Sequence, residues 1–196
     1  MAQNPCQALH EAGTAVWLDQ LSRELISSGR LAALIRDAAV TGLTSNPAIF
    51  HKAMTSGSAY DEQLAGFAGS ATPIEEVYEA LAIEDIRRTC DLLAPVWDSS
   101  GGAGGFVSLE VSPHLARDGH ATREAARRLH ALVDRPNLLI KVPGTPECLG
   151  TIEDLLAEGI GVNITLLFAV DAYEEVARAY LRALQRRTRQ GQPPVV

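Results

Sequence analysis

Two lysines, Lys52 and Lys141, stand against fifteen arginines in this chain, and their settings differ. Lys52 sits among polar neighbours in a stretch of helical period. Lys141 interrupts the apolar run Leu138-Leu139-Ile140 and Val142, which in a parallel sheet is expected to be buried on both faces. Burying an ammonium costs several kcal/mol unless it is paired or gives up its proton, and desolvation favours the neutral amine. A neutral amine can attack a ketone or aldehyde to form an iminium, an electron sink for breaking a carbon–carbon bond. The same placement also suits a lysine held in an ion pair with Asp19 or Glu110, and the lysine alone does not separate the two readings.

Polar residues at the ends of the other apolar runs shift that balance. Asp19 closes the run Ala15-Val16-Trp17-Leu18, and Thr44, Ser45 and Asn46 close the run that begins at Val40. Glu110 closes Phe106-Val107-Ser108-Leu109, while Asn163 and Thr165 lie in the run from Val162 to Phe168. Each has an ordinary structural explanation: Asp19 and Asn46 as helix caps, Thr165 as a β-branched strand residue. Recurrence at equivalent places in successive units, around a sheltered lysine, points to a common site.

The elements that must carry these residues follow from hydrophobic period. Short β-rich runs alternate with longer helical stretches, giving five βα units and an α/β fold. The first helix is interrupted at Gly29, and a second is expected to open at Pro47, whose fixed φ suits a first helical position. A long helix is expected from Thr72 to Trp97, with Thr72 as cap and Pro73 first in the helix. Helices are also expected over 121–133, 145–158 and 171–190. A doubly wound sheet and a (β/α)8 barrel share this alternation, but a barrel brings the carboxyl ends of its strands together round one site, whereas a doubly wound sheet scatters them along an edge. A single domain over 1–196 of (β/α)8 TIM-barrel type is therefore expected, truncated after about five βα units. A sixth strand would start at Pro193-Pro194-Val195-Val196.

Composition bounds the partners. With 46% hydrophobic and 21% charged residues the chain is an ordinary globular sequence, and a formal net charge of −7 disfavours nucleic acid and anionic membranes. Cys6, Cys90 and Cys148 are far apart and odd in number, so neither a disulfide framework nor a zinc site is expected, and a reducing cytoplasm fits. The first residues show no basic stretch followed by an apolar segment, so no export signal is expected.

Several segments closely resemble transaldolases: Gly42-Leu43-Thr44-Ser45-Asn46-Pro47-Ala48-Ile49-Phe50, Val107 to Pro113, Leu139 to Glu147, and Gly161 to Phe168. The likeness runs from about residue 13 to the end of the chain, and its most specific stretches are TSNP and IKVPGT. It implies the N-terminal part of a longer bacterial transaldolase of the pentose phosphate pathway. Such an enzyme would move a dihydroxyacetone unit from sedoheptulose 7-phosphate or fructose 6-phosphate to glyceraldehyde 3-phosphate or erythrose 4-phosphate. Carried over by residue, the resemblance makes Lys141 the Schiff-base lysine, with Glu110 and Thr165 holding the water that relays protons. Asp19 would take the proton of the donor's C4 hydroxyl. Asn46 and Asn163, with Thr44 and Ser45, would bind the dihydroxyacetone portion. No metal or organic cofactor is implied. Cys148 stands where the family usually has glycine, and the family's phosphate-binding serine and arginine fall after the fifth unit. A dihydroxyacetone-releasing aldolase of the same lineage and an inactive fragment are the alternatives.

Other features carry less. The glycines at 101–105 precede a strand, unlike a phosphate loop, and read as a flexible linker. His10, His51, His114, His120 and His130 lack ligand spacing and read as surface residues. The arginines at 182, 186, 187 and 189 read as a solvated helix face.

Overall fold

Each apolar run that alternates with a helical stretch becomes a strand, and the strands hydrogen-bond in chain order, β1-β2-β3-β4-β5. This computed structural model describes residues 4–194. Its elements begin with α1 (Pro5–Glu11), β1 (Val16–Leu18), α2 (Arg23–Ser27), α3 (Arg30–Ala38), β2 (Val40–Thr44) and α4 (Pro47–Met54). There follow α5 (Asp61–Ala65), α6 (Ile74–Ser99), β3 (Phe106–Glu110), α7 (Gly119–Val133), β4 (Leu138–Pro143), α8 (Leu149–Glu158), β5 (Val162–Thr165) and α9 (Val170–Arg189). A doubly wound sheet reverses its strand order at a switch point, whereas an unbroken parallel order with a helix after every strand belongs to the (β/α)8 barrel. The chain carries five βα units of that fold. Val195 and Val196, the end of the expected sixth strand, lie outside the described residues.

The residues cluster into two compact units, the first running to Val107 together with Arg135–Asn137, the second comprising Ser108–Asp134 and the chain from Leu138. In the first, β1 and β2 pair in parallel with Leu18 beside Leu43. The Trp17 ring fills the space above Gly42, where a Cβ would come within 2.4 Å of the indole. The helix break falls at Gly29, with φ of 75°, as expected. The long helix starts one residue later than expected, because Pro73 occupies the cap position and Thr72 instead bonds with the Ser70 hydroxyl. It also runs on through Pro95 to Ser99.

The glycine-rich stretch is a fixed turn rather than a flexible linker. The Gly105 N–H donates to the Thr41 carbonyl at 2.7 Å, and the Ser100 hydroxyl accepts from the Gly104 N–H at 2.9 Å. Buried Asn137 donates through Nδ2 to the carbonyls of Cys90 and Gly105 at 3.0 and 2.8 Å. Gly105 has φ of +81°, and a Cβ there would lie 2.4 Å from the Trp97 nitrogen. Gly105→Ala is therefore expected to destabilise the fold by roughly 2–5 kcal/mol through left-handed strain and overpacking. Thermal unfolding followed by circular dichroism should show Tm lower by on the order of 10 °C.

In the second unit β4 and β5 pair in parallel, Lys141 beside Asn163 and Pro143 beside Thr165. Strand β5 is shorter than expected: Leu166 turns to φ of 64°, which ends the strand at Thr165. On the helices, Arg182 pairs with Glu153 and Arg186 with Glu153 and Asp154. Arg187 is buried and donates to the carbonyls of Ala157 and Pro193. The basic face expected to be solvated is thus mostly engaged, although its partly exposed pairs contribute only about 0.2–1 kcal/mol each.

Candidate active site

Strand β4 shows buried 138, 140 and 142 alternating with half-buried 139 and 141, so the expectation of burial on both faces is corrected. The period-two geometry of a strand puts Leu139 and Lys141 on one face and leaves the intervening residues to pack beneath the helices. The Lys141 side chain is 13% exposed, and its Nζ lies 3.5 Å from Oε2 of Glu110, itself 24% exposed. Register fixes the neighbours: the Val111 N–H donates to the Lys141 carbonyl at 3.3 Å, and Asn163 lies beside Lys141 on β5. Asn163 donates through Nδ2 to Oγ of Ser108 at 2.9 Å. Lys141, Glu110, Asn163, Thr165 and Ser108, carried on β3, β4 and β5, therefore all lie in the second unit, with Thr165 half-buried one alternation beyond Asn163.

Buried Ser108 is a member of this group that the sequence reading missed. It lies two residues before Glu110, so strand alternation alone places both on one face. Its Oγ accepts from the Asn163 amide, and that bond fixes the orientation of the Asn163 side chain. The close Lys141–Glu110 approach fits both sequence readings of the lysine, an ion pair and a nucleophile with a carboxylate at hand.

In the first unit Asp19 is exposed immediately after β1. Helix α2 is capped not by Asp19 but by Ser22, whose Oγ accepts from the Leu25 N–H at 3.1 Å, so the capping explanation for Asp19 falls away. Asn46 does cap α4, its Oδ1 accepting from the Ile49 N–H at 3.0 Å. That bond fixes the orientation of the amide. Thr44 and Asn46 are half-buried, while Ser45 between them is fully buried. Asp19 lines a cavity of about 440 Å³ with Ser22, Lys52, Ser56 and Tyr60.

The remaining nucleophile candidates are poorly placed. Burial pushes the Cys90 thiol up to about 12, so it holds almost no thiolate at neutral pH. Cys148 is buried at the start of α8, with its sulfur near the Ala116 carbonyl and the Thr122 hydroxyl. Four histidines are exposed as expected, and His130 is half-buried. Among the described residues no group of three or more His, Cys, Asp or Glu side chains is arranged to hold a metal ion, and no helix is long and apolar enough to cross a membrane.

Known proteins resemble this chain along most of its length. A family profile described as Transaldolase/Fructose-6-phosphate aldolase matches residues 16–192. A protein of Thiobacillus denitrificans named transaldolase is 49% identical over 179 residues, 91% of this chain and 50% of that protein. Transaldolases of Thermobifida fusca and Mycobacterium marinum are 48% and 45% identical over 96% and 97% of this chain, and 51% of each is covered. The chain spans about half the length of the curated relatives it matches.

Proposed function

Because the chain belongs to the transaldolase/fructose-6-phosphate aldolase family, we propose that it carries the Schiff-base half-reaction of a transaldolase, with Lys141 as nucleophile. The observation that carries this reading is the setting of Lys141. It is a sheltered lysine on a strand, with the Glu110 carboxylate 3.5 Å from Nζ and Asn163 next in register.

The Lys141 amine adds to the C2 carbonyl of a ketose phosphate, giving a carbinolamine. Glu110, through a water shared with Thr165, moves the protons that let the carbinolamine lose water and become an iminium. Asp19 then takes the proton from the C4 hydroxyl and the C3–C4 bond breaks. Its electron pair flows into the iminium to give an enamine, and the aldose phosphate leaves. Asn46, Asn163, Thr44 and Ser45 bind the hydroxyl groups of the dihydroxyacetone unit retained on Lys141. Addition of the enamine to an acceptor aldehyde and return of the proton from Asp19 reverse the sequence. The iminium is itself the electron sink, so these steps call on no metal or organic cofactor.

The substrates in this reading are fructose 6-phosphate or sedoheptulose 7-phosphate as donor, and erythrose 4-phosphate or glyceraldehyde 3-phosphate as acceptor, as in the pentose phosphate pathway. The three free thiols suit the reducing cytoplasm in which that pathway runs. Incubating the chain with fructose 6-phosphate and erythrose 4-phosphate tests the assignment. Formation of sedoheptulose 7-phosphate supports transfer. Free dihydroxyacetone independent of acceptor would instead support an aldolase, and neither product would count against catalysis by this chain.

A further inference from the structure

Four residues after Asp19 the chain enters α2 at Arg23, a first-turn residue whose backbone N–H has no carbonyl of its own helix to meet. Here that N–H donates to the Tyr60 hydroxyl oxygen at 3.1 Å. The Tyr60 hydroxyl donates in turn to Oδ2 of Asp85 at 2.7 Å, and Oδ1 of the same carboxylate accepts from Arg23 Nε at 2.8 Å. The guanidinium also stacks over the tyrosine ring, 4.4 Å from its centroid. Tyr60 and Asp85 thus grip both the backbone and the side chain of one residue. Both are buried, and burial followed by the Asp85 bond keeps the Tyr60 hydroxyl protonated well above the usual tyrosine range.

A buried ion pair is a weak source of net stability, since apolar side chains of like volume often do as well. Its firm consequence is geometric. The segment 19–22 is held at three points: upstream by Leu18 in register with Leu43, midway by buried Leu21, and downstream by the grip on Arg23. The side chains left exposed are those of Asp19 and Gln20, beside a cavity whose wall includes Tyr60.

We propose that Tyr60 and Asp85 are positioning residues for Asp19, fixing the β1–α2 loop so that its carboxylate is delivered to one place. The inference rests on the proton-transfer role given to Asp19 above. Proton abstraction needs a heavy-atom approach of about 2.6–3.2 Å, and a misplacement of about 1 Å can slow a reaction on the order of 100-fold. Neither Tyr60 nor Asp85 touches the substrate in this scheme.

Tyr60→Phe keeps the ring over Arg23 and removes the hydroxyl. In the full 196-residue chain, fructose 6-phosphate followed by borohydride should trap two adducts on Lys141 that differ in mass. One is the intact hexose phosphate, before cleavage; the other is dihydroxyacetone, after it. Total adduct is expected to stay within about twofold of the unmodified chain while the ratio of dihydroxyacetone to hexose phosphate falls on the order of tenfold. Asp85→Asn should shift the ratio in the same direction. A merely structural role would lower both adducts together with the folded fraction and leave their ratio alone.

Hydrogen exchange on the unmodified chain gives a readout free of any folding defect in the variants. The Arg23 amide should be protected at least about 100-fold over an unstructured peptide despite its first-turn position. An unprotected Arg23 amide, or an unchanged adduct ratio in Tyr60→Phe, would overturn the inference. If the unmodified chain forms no adduct at all, the Schiff-base reading itself fails, which is a different result from an adduct whose ratio does not move.

Discussion

Lys141→Arg is expected to abolish covalent capture of a ketose phosphate and to lower any transfer rate by at least on the order of 10⁴-fold. Arginine separates the two readings of this position. It keeps a permanent positive charge beside Glu110, so an ion pair with no chemistry would survive the change. It cannot lose its proton to become an amine nucleophile, so a Schiff base would not. Lys141→Met removes both and should be equally inactive. It leaves Glu110 without the cation 3.5 Å away, but that carboxylate retains 24% exposure, so the destabilisation should stay within about 1–3 kcal/mol. Mass spectrometry after borohydride reduction, with circular dichroism to establish folding, reads both effects. Full activity in Lys141→Arg would assign the lysine to structure alone.

Asp19→Ala carries the second largest effect. If Asp19 takes the C4 hydroxyl proton, the variant still forms the iminium but cannot cleave it, so the hexose phosphate adduct should accumulate on Lys141. Loss of a general base costs about 10²–10⁴-fold, and the dihydroxyacetone adduct should fall by that factor while total adduct changes little. Asp19 is exposed and Ser22 is the cap of α2, so the fold has little stake in this carboxylate. A stability loss cannot then imitate the result. Equal loss of both adducts would remove Asp19 from the cleavage step and place it in binding or adduct formation.

The sequence carried the βα alternation because strand and helix periods differ strongly, and it marked Asp19, Asn46, Glu110, Lys141, Asn163 and Thr165 as candidates because polar residues stand out at the ends of apolar runs. What it hid is tertiary. Glycine-rich 101–105 reads as loose, yet a bond to Thr41 and another from Asn137, distant in the chain, fix it. Arg187 reads as solvated, yet it reaches carbonyls of other segments. Leu166-Leu167-Phe168 looks like a continuing strand, but the positive φ at Leu166 is a backbone choice that side-chain pattern does not encode. Ser108 was within reach of alternation from Glu110. The Arg23–Tyr60–Asp85 group was not, because its members are separated by 25 to 62 positions.

The central claim is that Lys141 is the residue that bonds to the ketose. Peptide mapping after fructose 6-phosphate and borohydride tests it most directly, because the chain has a second lysine to serve as internal control. Exposed Lys52 lines the cavity beside Asp19 and would react if capture were indiscriminate. The expected result is a reduced sugar adduct on the peptide that contains Lys141 and none on the peptide that contains Lys52. An adduct on Lys52 alone, on both lysines equally, or on neither would contradict it.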